Sequence, residues 1–208
     1  MPLYKTITPN SKTTVKIWKI DESFDDLMRP IELKPETLSR VLGMKSDMHQ
    51  RGFLSVRHLL LAFGYKDADL FYDENGKPHL KDGKQISITH SFNFSAVVVS
   101  DLIVGIDIEK QRDKISVIAN KFIDYEFNYL EEKANHYKEK LTVIWCAKES
   151  LYKLFDTPGL SFKQHCLIIP FELKDSETIA WIDYKDKRYR YSVYFLEFES
   201  FTCAYVIA

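Results

Sequence analysis

The chain has 208 residues, of which 45% are hydrophobic and 14% aromatic, so it can bury a core in one large domain or two small ones. Its 29 basic and 30 acidic residues leave a formal charge of -1, which argues against a nucleic-acid-binding role. No stretch approaches the roughly 18 apolar residues of a membrane span, and the start, MPLYK, has no signal-peptide apolar region. We therefore expect a cytoplasmic protein that binds neither nucleic acid nor membrane.

The first half of the chain predicts a short strand at 15–20 and a helix that begins after Ser46 and ends at Gly64. Arg51 and Arg57 lie near the start of this helix. Their guanidinium groups would suit a phosphate, and the alternative is that both are solvated surface side chains.

A turn and two strands follow this helix. The segment D-E-N-G-K-P at 73–78 has the composition of a turn and contains Lys77. Strands are predicted at 85–89 and 94–99, and the second leads into the next strand as an antiparallel hairpin. Thr89 and His90 end the first strand, where they offer hydrogen-bond donors to an anion or serve as ordinary structural side chains.

The segment 102–109 alternates as a strand and carries two carboxylates on one face. Asp107 and Glu109 share that face with Gly105, and their Cα atoms are expected roughly 7 Å apart. Both could reach one hard cation, and Gly105 would leave room beside them for a ligand. The alternative is a solvent-facing end of a strand. A helix is then predicted from Ser116, with a second one starting at Asp124, and Glu126 would be an acid in the first turn of that second helix.

The segment 141–155 predicts a helix with a lysine in its apolar stripe. Lys148 falls near the centre of that stripe, so its ammonium must either extend to solvent or meet an anion. Glu149 and Lys153 flank the stripe, four residues apart. Alone they would indicate a surface ion pair, but together with Lys148 they indicate a functional site.

Strands are predicted at 167–171, 179–184, 189–198 and 201–207, so each half has strands and a long helix, which indicates the α+β class. The three cysteines are odd in number and widely spaced, without a CxxC pair, which favours buried apolar residues over a disulfide or zinc site. They are Cys146, Cys166 and Cys203.

Two stretches together resemble a known family. G-I-D-I-E at 105–109 and W-C-A-K-E-S-L-Y-K at 145–153 are similar to the two signature motifs of 4'-phosphopantetheinyl transferases, G-[IV]-D-[IV]-E and W-x-x-K-E-x-x-x-K. The G-K-P turn at 76–78, the T-H-S strand end at 89–91 and the arginine-bearing helix also match, so the resemblance covers roughly residues 46–162. The chain length is similar to that of the Sfp-like branch of this family. That implies two similar α+β halves, 1–101 and 102–208, each with an antiparallel sheet and a long helix. The halves would be related by a pseudo-twofold axis and form one compact unit with the active site between them.

The resemblance also implies ligands and roles. Asp107, Glu109 and Glu149 would hold Mg²⁺, or Mn²⁺, on the pyrophosphate of coenzyme A. Lys153 would neutralise the pyrophosphate, and Lys148 would orient the helix or pair with a phosphate oxygen. The positions implied for the nucleotide part of coenzyme A are Arg51, Arg57, Lys77, Thr89 and His90.

The implied reaction transfers 4'-phosphopantetheine from coenzyme A to a serine of an acyl or peptidyl carrier protein and releases 3',5'-ADP. The general base would be Glu149 or a water molecule on the metal, with Glu126 as the second choice. We expect a monomer that serves fatty acid or secondary-metabolite biosynthesis. The alternatives are a metal-dependent phosphohydrolase or nucleotidyl transferase, and a non-catalytic relative that binds coenzyme A or a carrier. Cysteine chemistry at Cys146 is disfavoured, because no histidine lies at a suitable local spacing.

Overall fold

Antiparallel strands and two long helices make up most of the computed structural model, which describes residues 3–208. The chain divides into two compact units, Met1–Ile103 and Val104–Ala208. Each unit has an antiparallel sheet and one long helix, so the predicted α+β class is confirmed. Among the described residues, no helix has both the length and the apolar character that crossing a membrane requires.

The first unit is built on a four-stranded antiparallel sheet. Its elements in chain order are β1 (Leu3–Asn10), β2 (Thr13–Lys19), α1 (Phe24–Met28), α2 (Pro35–Leu42), α3 (Asp47–Ala62), β3 (Leu70–Tyr72), β4 (Pro78–Leu80), β5 (Gln85–Ser91) and β6 (Phe94–Ser100). The sheet has the strand order β1-β2-β6-β5, and β3 and β4 form a separate two-stranded ribbon.

Helix α3 begins and ends as its sequence predicts. The Ser46 hydroxyl accepts a hydrogen bond from the backbone N–H of His49, and Gly64 takes a positive φ of 89° just beyond the end. Leu54, Leu59 and Leu60 are fully buried in the core of this unit. Burying each leucine side chain contributes roughly 1.5–3 kcal/mol, so the apolar face fixes the helix on the sheet.

The second unit is built on a five-stranded antiparallel sheet with the long helix α5 packed on it. The elements in chain order are β7 (Val104–Lys110), α4 (Lys114–Ile118), α5 (Tyr137–Phe155), α6 (Phe162–His165), β8 (Cys166–Ile168), β9 (Glu177–Tyr184), β10 (Lys187–Phe198) and β11 (Phe201–Ile207). The strand order is β7-β11-β10-β9-β8. Apolar residues of α5 and of the sheet form one buried core.

The predicted hairpin between the strand at 94–99 and the following strand is wrong. Strand β6 pairs with β2 on one side and β5 on the other, so both of its hydrogen-bonding edges are used within its own sheet. Strand β7 instead pairs antiparallel with β11 near the end of the chain.

The predicted second helix from Asp124 is also wrong. Helix α4 is followed by two short 3₁₀ turns, Ala119–Lys121 and Tyr125–Asn128, and Glu126 lies in the second. The Glu126 carboxylate accepts hydrogen bonds from the backbone N–H groups of Asp124 and Ile168. These bonds draw the turn into the protein interior, where tertiary contacts override the local helical pattern.

The three cysteines are free and buried, as predicted. Burial raises the pKa of the Cys146 thiol well above its usual value and raises that of Cys166 to about 12. A buried thiol that resists deprotonation is a poor nucleophile, which supports rejecting cysteine chemistry at Cys146.

Candidate active site

Strand β7 presents its carboxylates towards helix α5. The register with β11 places Gly105, Asp107 and Glu109 at alternating positions, so they share one face of the sheet. A Cβ atom at Gly105 would overlap the backbone carbonyl of Ser150 in α5. The sequence predicted that this glycine leaves room for a ligand, but the room is taken by the helix, which packs closely against the strand.

Helix α5 is held in place on the sheet by packing and by Ser150. The Ser150 hydroxyl lies 2.7 Å from the carbonyl oxygen of Cys146 and 3.0 Å from that of Ala204 in β11. The helix ends at Phe155, and the next residue, Asp156, has a positive φ of 47°. This close packing brings the side chains of α5 to the carboxylates of β7.

Lys153 of α5 meets Asp107 of β7. Its Nζ atom lies 2.8 Å from Asp107 Oδ1 and donates to the backbone carbonyl of Ile106 at 2.9 Å. The Lys153 side chain is 30% exposed and that of Asp107 only 8%. The pair is therefore charge-assisted and largely shielded from solvent, unlike an ordinary surface ion pair.

Glu149, one turn before Lys153, lies near the negative charges of Asp107 and Glu109. Burial is the largest cause that raises the pKa of its carboxyl group, followed by the charge of Asp107, and the value reaches about 7. Glu109 adds to this rise, while Lys153 opposes it. Three acidic side chains thus crowd one region, which is costly unless a cation balances them.

The donor set fits a magnesium ion, since Mg²⁺ prefers a small number of carboxylate oxygens together with phosphate oxygens and water. As placed, however, no group of three or more His, Cys, Asp or Glu side chains among the described residues converges as a metal site. In this structure the ammonium of Lys153 pairs with Asp107.

Lys148, the lysine in the predicted apolar stripe, meets an anion. Its Nζ atom lies 2.8 Å from Glu126 Oε1, and both side chains are fully buried. It also donates to the carbonyl oxygens of Phe122 at 2.8 Å and Phe162 at 3.1 Å. An ammonium has three donors, and all three have partners here.

The Lys148–Glu126 pair therefore has a structural role. Lys148 has no donor left for a phosphate oxygen, which favours helix orientation over the other role implied for it. Glu126 has no exposed surface and accepts three hydrogen bonds or ion-pair contacts, so a serine on another protein cannot reach it as placed. Its implied place as a second-choice base has no support from this placement.

Sequence reasoning missed a cavity of about 160 Å³ beside Glu109. The cavity is lined by three basic side chains at alternating positions, which follow Asp107 and Glu109 in the sequence. Apolar side chains of α4 and α5 form its other wall. The basic spacing was visible in the sequence, but the wall depends on how α4 packs. These other lining residues are Lys110, Arg112, Lys114, Ile115, Ile118, Thr142 and Trp145.

In the first unit, the structure places Arg51 and His90 around the first turns of α3. Arg51 donates from Nε to Asp47 at 2.8 Å, and its side chain is partly exposed. A Cβ atom on the adjacent Gly52 would lie 3.1 Å from Nδ1 of His90, so the imidazole ring packs directly on the helix. Two potential donors for an anion therefore lie near one another.

Arg57, by contrast, is a core residue. Its guanidinium donates to Asp67 at 3.1 Å and stacks 3.6 Å from the ring centroid of Phe53, and its side chain is 3% exposed. These contacts stabilise the core, and this placement gives no support to the nucleotide contact implied for Arg57.

The remaining nucleotide candidates lie on the ribbon and on β5. Lys77 follows Gly76, which takes a positive φ of 83°, and the Lys77 backbone N–H donates to Asp73. Thr89 is buried on β5, beside the exposed His90.

Comparison with known proteins gives one family. The family model of the 4'-phosphopantetheinyl transferase superfamily matches residues 103–206, which is half of the chain and includes β7 and α5. A search of curated proteins found no significant match. The carboxylates, lysines and close strand–helix packing described above lie inside the matched region, and the chain belongs to the 4'-phosphopantetheinyl transferase superfamily.

Proposed function

We propose that this protein transfers the 4'-phosphopantetheine group of coenzyme A to a serine of an acyl or peptidyl carrier protein, with Mg²⁺, and releases 3',5'-ADP. The family match supports phosphopantetheine transfer in general. The observation that carries the finer proposal is the meeting of Asp107 with Lys153 at 2.8 Å, next to Glu149. Crowded carboxylates would hold a divalent cation, and the lysine would bind an anionic pyrophosphate.

We place the chain in the Sfp-like branch of the family. Two α+β units in one chain, each with an antiparallel sheet and a long helix, support this. The carrier would belong to fatty acid or secondary-metabolite biosynthesis, and the protein would act as a monomer.

The metal ligands in this proposal are Asp107, Glu109 and Glu149. A bound Mg²⁺, or Mn²⁺, would neutralise negative charge on the pyrophosphate of coenzyme A. Lys153 is proposed to bind a pyrophosphate oxygen, because its side chain is long, flexible and partly exposed. Lys148 holds the turn at Glu126 and the segment at Phe162 on α5, and so positions the helix that carries Glu149 and Lys153.

The nucleotide part of coenzyme A is proposed to bind Arg51, Lys77 and His90, with Thr89 as a neighbour. Arg51 is partly exposed, and its guanidinium donates to the Asp47 carboxylate and the Glu22 carbonyl oxygen. A guanidinium has five N–H donors, so donors remain for a phosphate. Arg57 is omitted, since its guanidinium is engaged with Asp67 and Phe53.

The chemical step is an attack by the serine hydroxyl on the β-phosphorus of coenzyme A, with 3',5'-ADP as the leaving group. The serine proton must be taken up as the new phosphorus–oxygen bond forms. We propose the Glu149 carboxylate as the acceptor, since it is only partly buried whereas Glu126 is sealed.

The test is the release of 3',5'-ADP from coenzyme A, followed by chromatography, with and without apo acyl carrier protein. The proposal predicts release only when a carrier is present. Release at the same rate without a carrier would favour a phosphohydrolase. Coenzyme A binding without release, tried with both acyl and peptidyl carriers, would favour a non-catalytic relative.

A further inference from the structure

Lys153 already pairs with the carboxylate of Asp107, which is one of the metal ligands in the proposed function. Its ammonium lies 2.8 Å from Asp107 Oδ1 and donates a second hydrogen bond to the Ile106 carbonyl oxygen at 2.9 Å. The carboxylate is 8% exposed, so the charge of Lys153 is only weakly screened there. We propose that Lys153 and the divalent cation compete for Asp107, and that this competition couples metal binding to coenzyme A binding. This inference rests on the proposed function.

The competition follows from the charge of the site. Asp107 and Glu109 lie on the same face of β7, and the ammonium of Lys153 lies 2.8 Å from Asp107 Oδ1. The ammonium therefore partly balances the acidic cluster when no metal is bound. A divalent cation on the same carboxylate would meet this positive charge within a few ångströms, and the repulsion lowers the affinity of the protein for metal alone.

Coenzyme A supplies a second partner for the ammonium. Its pyrophosphate is anionic, so Lys153 can leave Asp107 for a phosphate oxygen without losing an ion pair. The partly exposed four-carbon stem of Lys153 allows this movement, whereas Lys148 on the same helix is fully buried with all its donors engaged. Since coupling between two ligands is reciprocal, metal and coenzyme A should each raise the affinity for the other.

The direct test is a Mn²⁺ titration without coenzyme A, followed by electron paramagnetic resonance of free Mn²⁺. The variant Lys153→Met keeps the length of the stem and removes the competing charge. We expect its Mn²⁺ affinity to be about ten- to hundred-fold higher than that of the wild type, the range that corresponds to the loss of one hydrogen bond to a charged group.

The matched control is Lys140→Met on the same helix. Lys140 pairs with Glu172 at 3.2 Å, so the substitution removes the same charge from α5 without touching Asp107. Its Mn²⁺ affinity should stay within about twofold of the wild type, since an exposed pair contributes little. A purely structural role for Lys153 predicts the opposite sign for Lys153→Met, since damage to the site weakens metal binding.

A second variant tests the proposal in case Lys153→Met does not fold. Lys153→Met leaves Asp107 without its ammonium partner, and if that variant unfolds in the absence of metal, Mn²⁺ should restore cooperative unfolding by circular dichroism. The double variant Lys153→Met/Asp107→Asn removes both charges and should fold without metal and show no gain in affinity. Competition is overturned if Lys153→Met binds Mn²⁺ no better than the wild type, or if it stays unfolded at saturating Mn²⁺.

A Mn²⁺ titration with coenzyme A distinguishes a failure of this inference from a failure of the proposed function. Adding coenzyme A should raise the Mn²⁺ affinity of the wild type by at least tenfold, about 1.4 kcal/mol. A wild type that binds no coenzyme A would defeat the proposed function, while the coenzyme A-free comparison would still decide whether Lys153 competes with the metal.

Discussion

Lys148 Nζ and Glu126 Oε1 lie 2.8 Å apart, and neither side chain is exposed to solvent. The pair joins helix α5 to the 3₁₀ turn at Tyr125–Asn128, and the Phe162 carbonyl brings the segment after the helix to the same ammonium. The Lys148 ammonium thus links three segments of the second unit. Burial lowers the pKa of the Lys148 ammonium, and the Glu126 charge opposes this, so the two groups depend on each other.

Removing one partner of this pair should destabilise the protein strongly. We expect Lys148→Met to lower the free energy of unfolding by about 3–5 kcal/mol, because Glu126 would remain as an uncompensated buried charge. Urea unfolding measures this. Lys138→Met is the control, since Lys138 pairs at 3.1 Å with the exposed Asp113 and should contribute less than about 1 kcal/mol. Equal losses in the two variants would contradict a structural role for the buried pair.

Glu149 should make the metal-free protein less stable as the pH rises. Its folded pKa of about 7 lies above the ordinary 4.5, so the folded state binds the proton more tightly than the unfolded chain does. The stabilising contribution of the protonated carboxyl is complete below pH 4.5 and is lost as the pH rises to about 7.

The difference between wild type and Glu149→Gln isolates this effect. We measure the free energy of unfolding of both proteins in the presence of a chelator. Between pH 5 and pH 8, the free energy of unfolding of Glu149→Gln should rise by about 1 kcal/mol relative to that of the wild type. This value is smaller than the full pKa shift would give, because solvent screens a partly exposed group. The same variant should lose most of its turnover, with coenzyme A binding affected less. A stability difference that does not change with pH would contradict the crowding of carboxylates around Glu149.

Gly105 should tolerate no side chain. In Gly105→Ala the new Cβ would overlap the Ser150 carbonyl, which is backbone and cannot rotate away, so β7 and α5 must separate. We expect a loss of about 3 kcal/mol or more in unfolding free energy, together with weaker metal binding. Gly43→Ala is a milder control, since its Cβ would lie 3.3 Å from the Ser39 carbonyl oxygen. A well-folded Gly105→Ala protein with normal metal affinity would contradict the close strand–helix packing.

The two arginines of α3 should behave differently. Arg51→Met should weaken coenzyme A binding about tenfold or more and change stability by less than about 1 kcal/mol, because its pair with Asp47 is exposed. Arg57→Met should cost about 3–5 kcal/mol in stability, because the fully buried Asp67 loses its partner. Calorimetric titration and urea unfolding measure the two effects. The assignment fails if Arg57→Met remains stable and loses coenzyme A affinity.

Much of the site was readable from the sequence because it depends on local periodicity. The alternation around Asp107 and Glu109 and the odd position of Lys148 on an apolar stripe need only the strand and helix repeats. The start of α3 at Ser46 depends on capping chemistry and was also predictable.

The errors came from contacts between residues distant in the sequence. The partner of β7 is β11, almost a hundred residues later, and no local pattern distinguishes it from β6. The Glu126 turn depends on the Ile168 N–H and on Lys148, and Arg57 is occupied by Asp67 and Phe53. Strand β1, the short helices α1 and α2, and the cavity at Glu109 likewise depend on packing that the sequence does not display.

The most direct test of the central claim is mass spectrometry of an apo acyl carrier protein incubated with this protein, coenzyme A and Mg²⁺. An Asp107→Ala variant and a reaction with a chelator serve as controls. The account predicts a gain of one phosphopantetheine group on the carrier serine that requires both Mg²⁺ and Asp107. A carrier that gains the group equally with Asp107→Ala or without metal would contradict the proposed site, and no gain with any acyl or peptidyl carrier would contradict the proposed transferase activity.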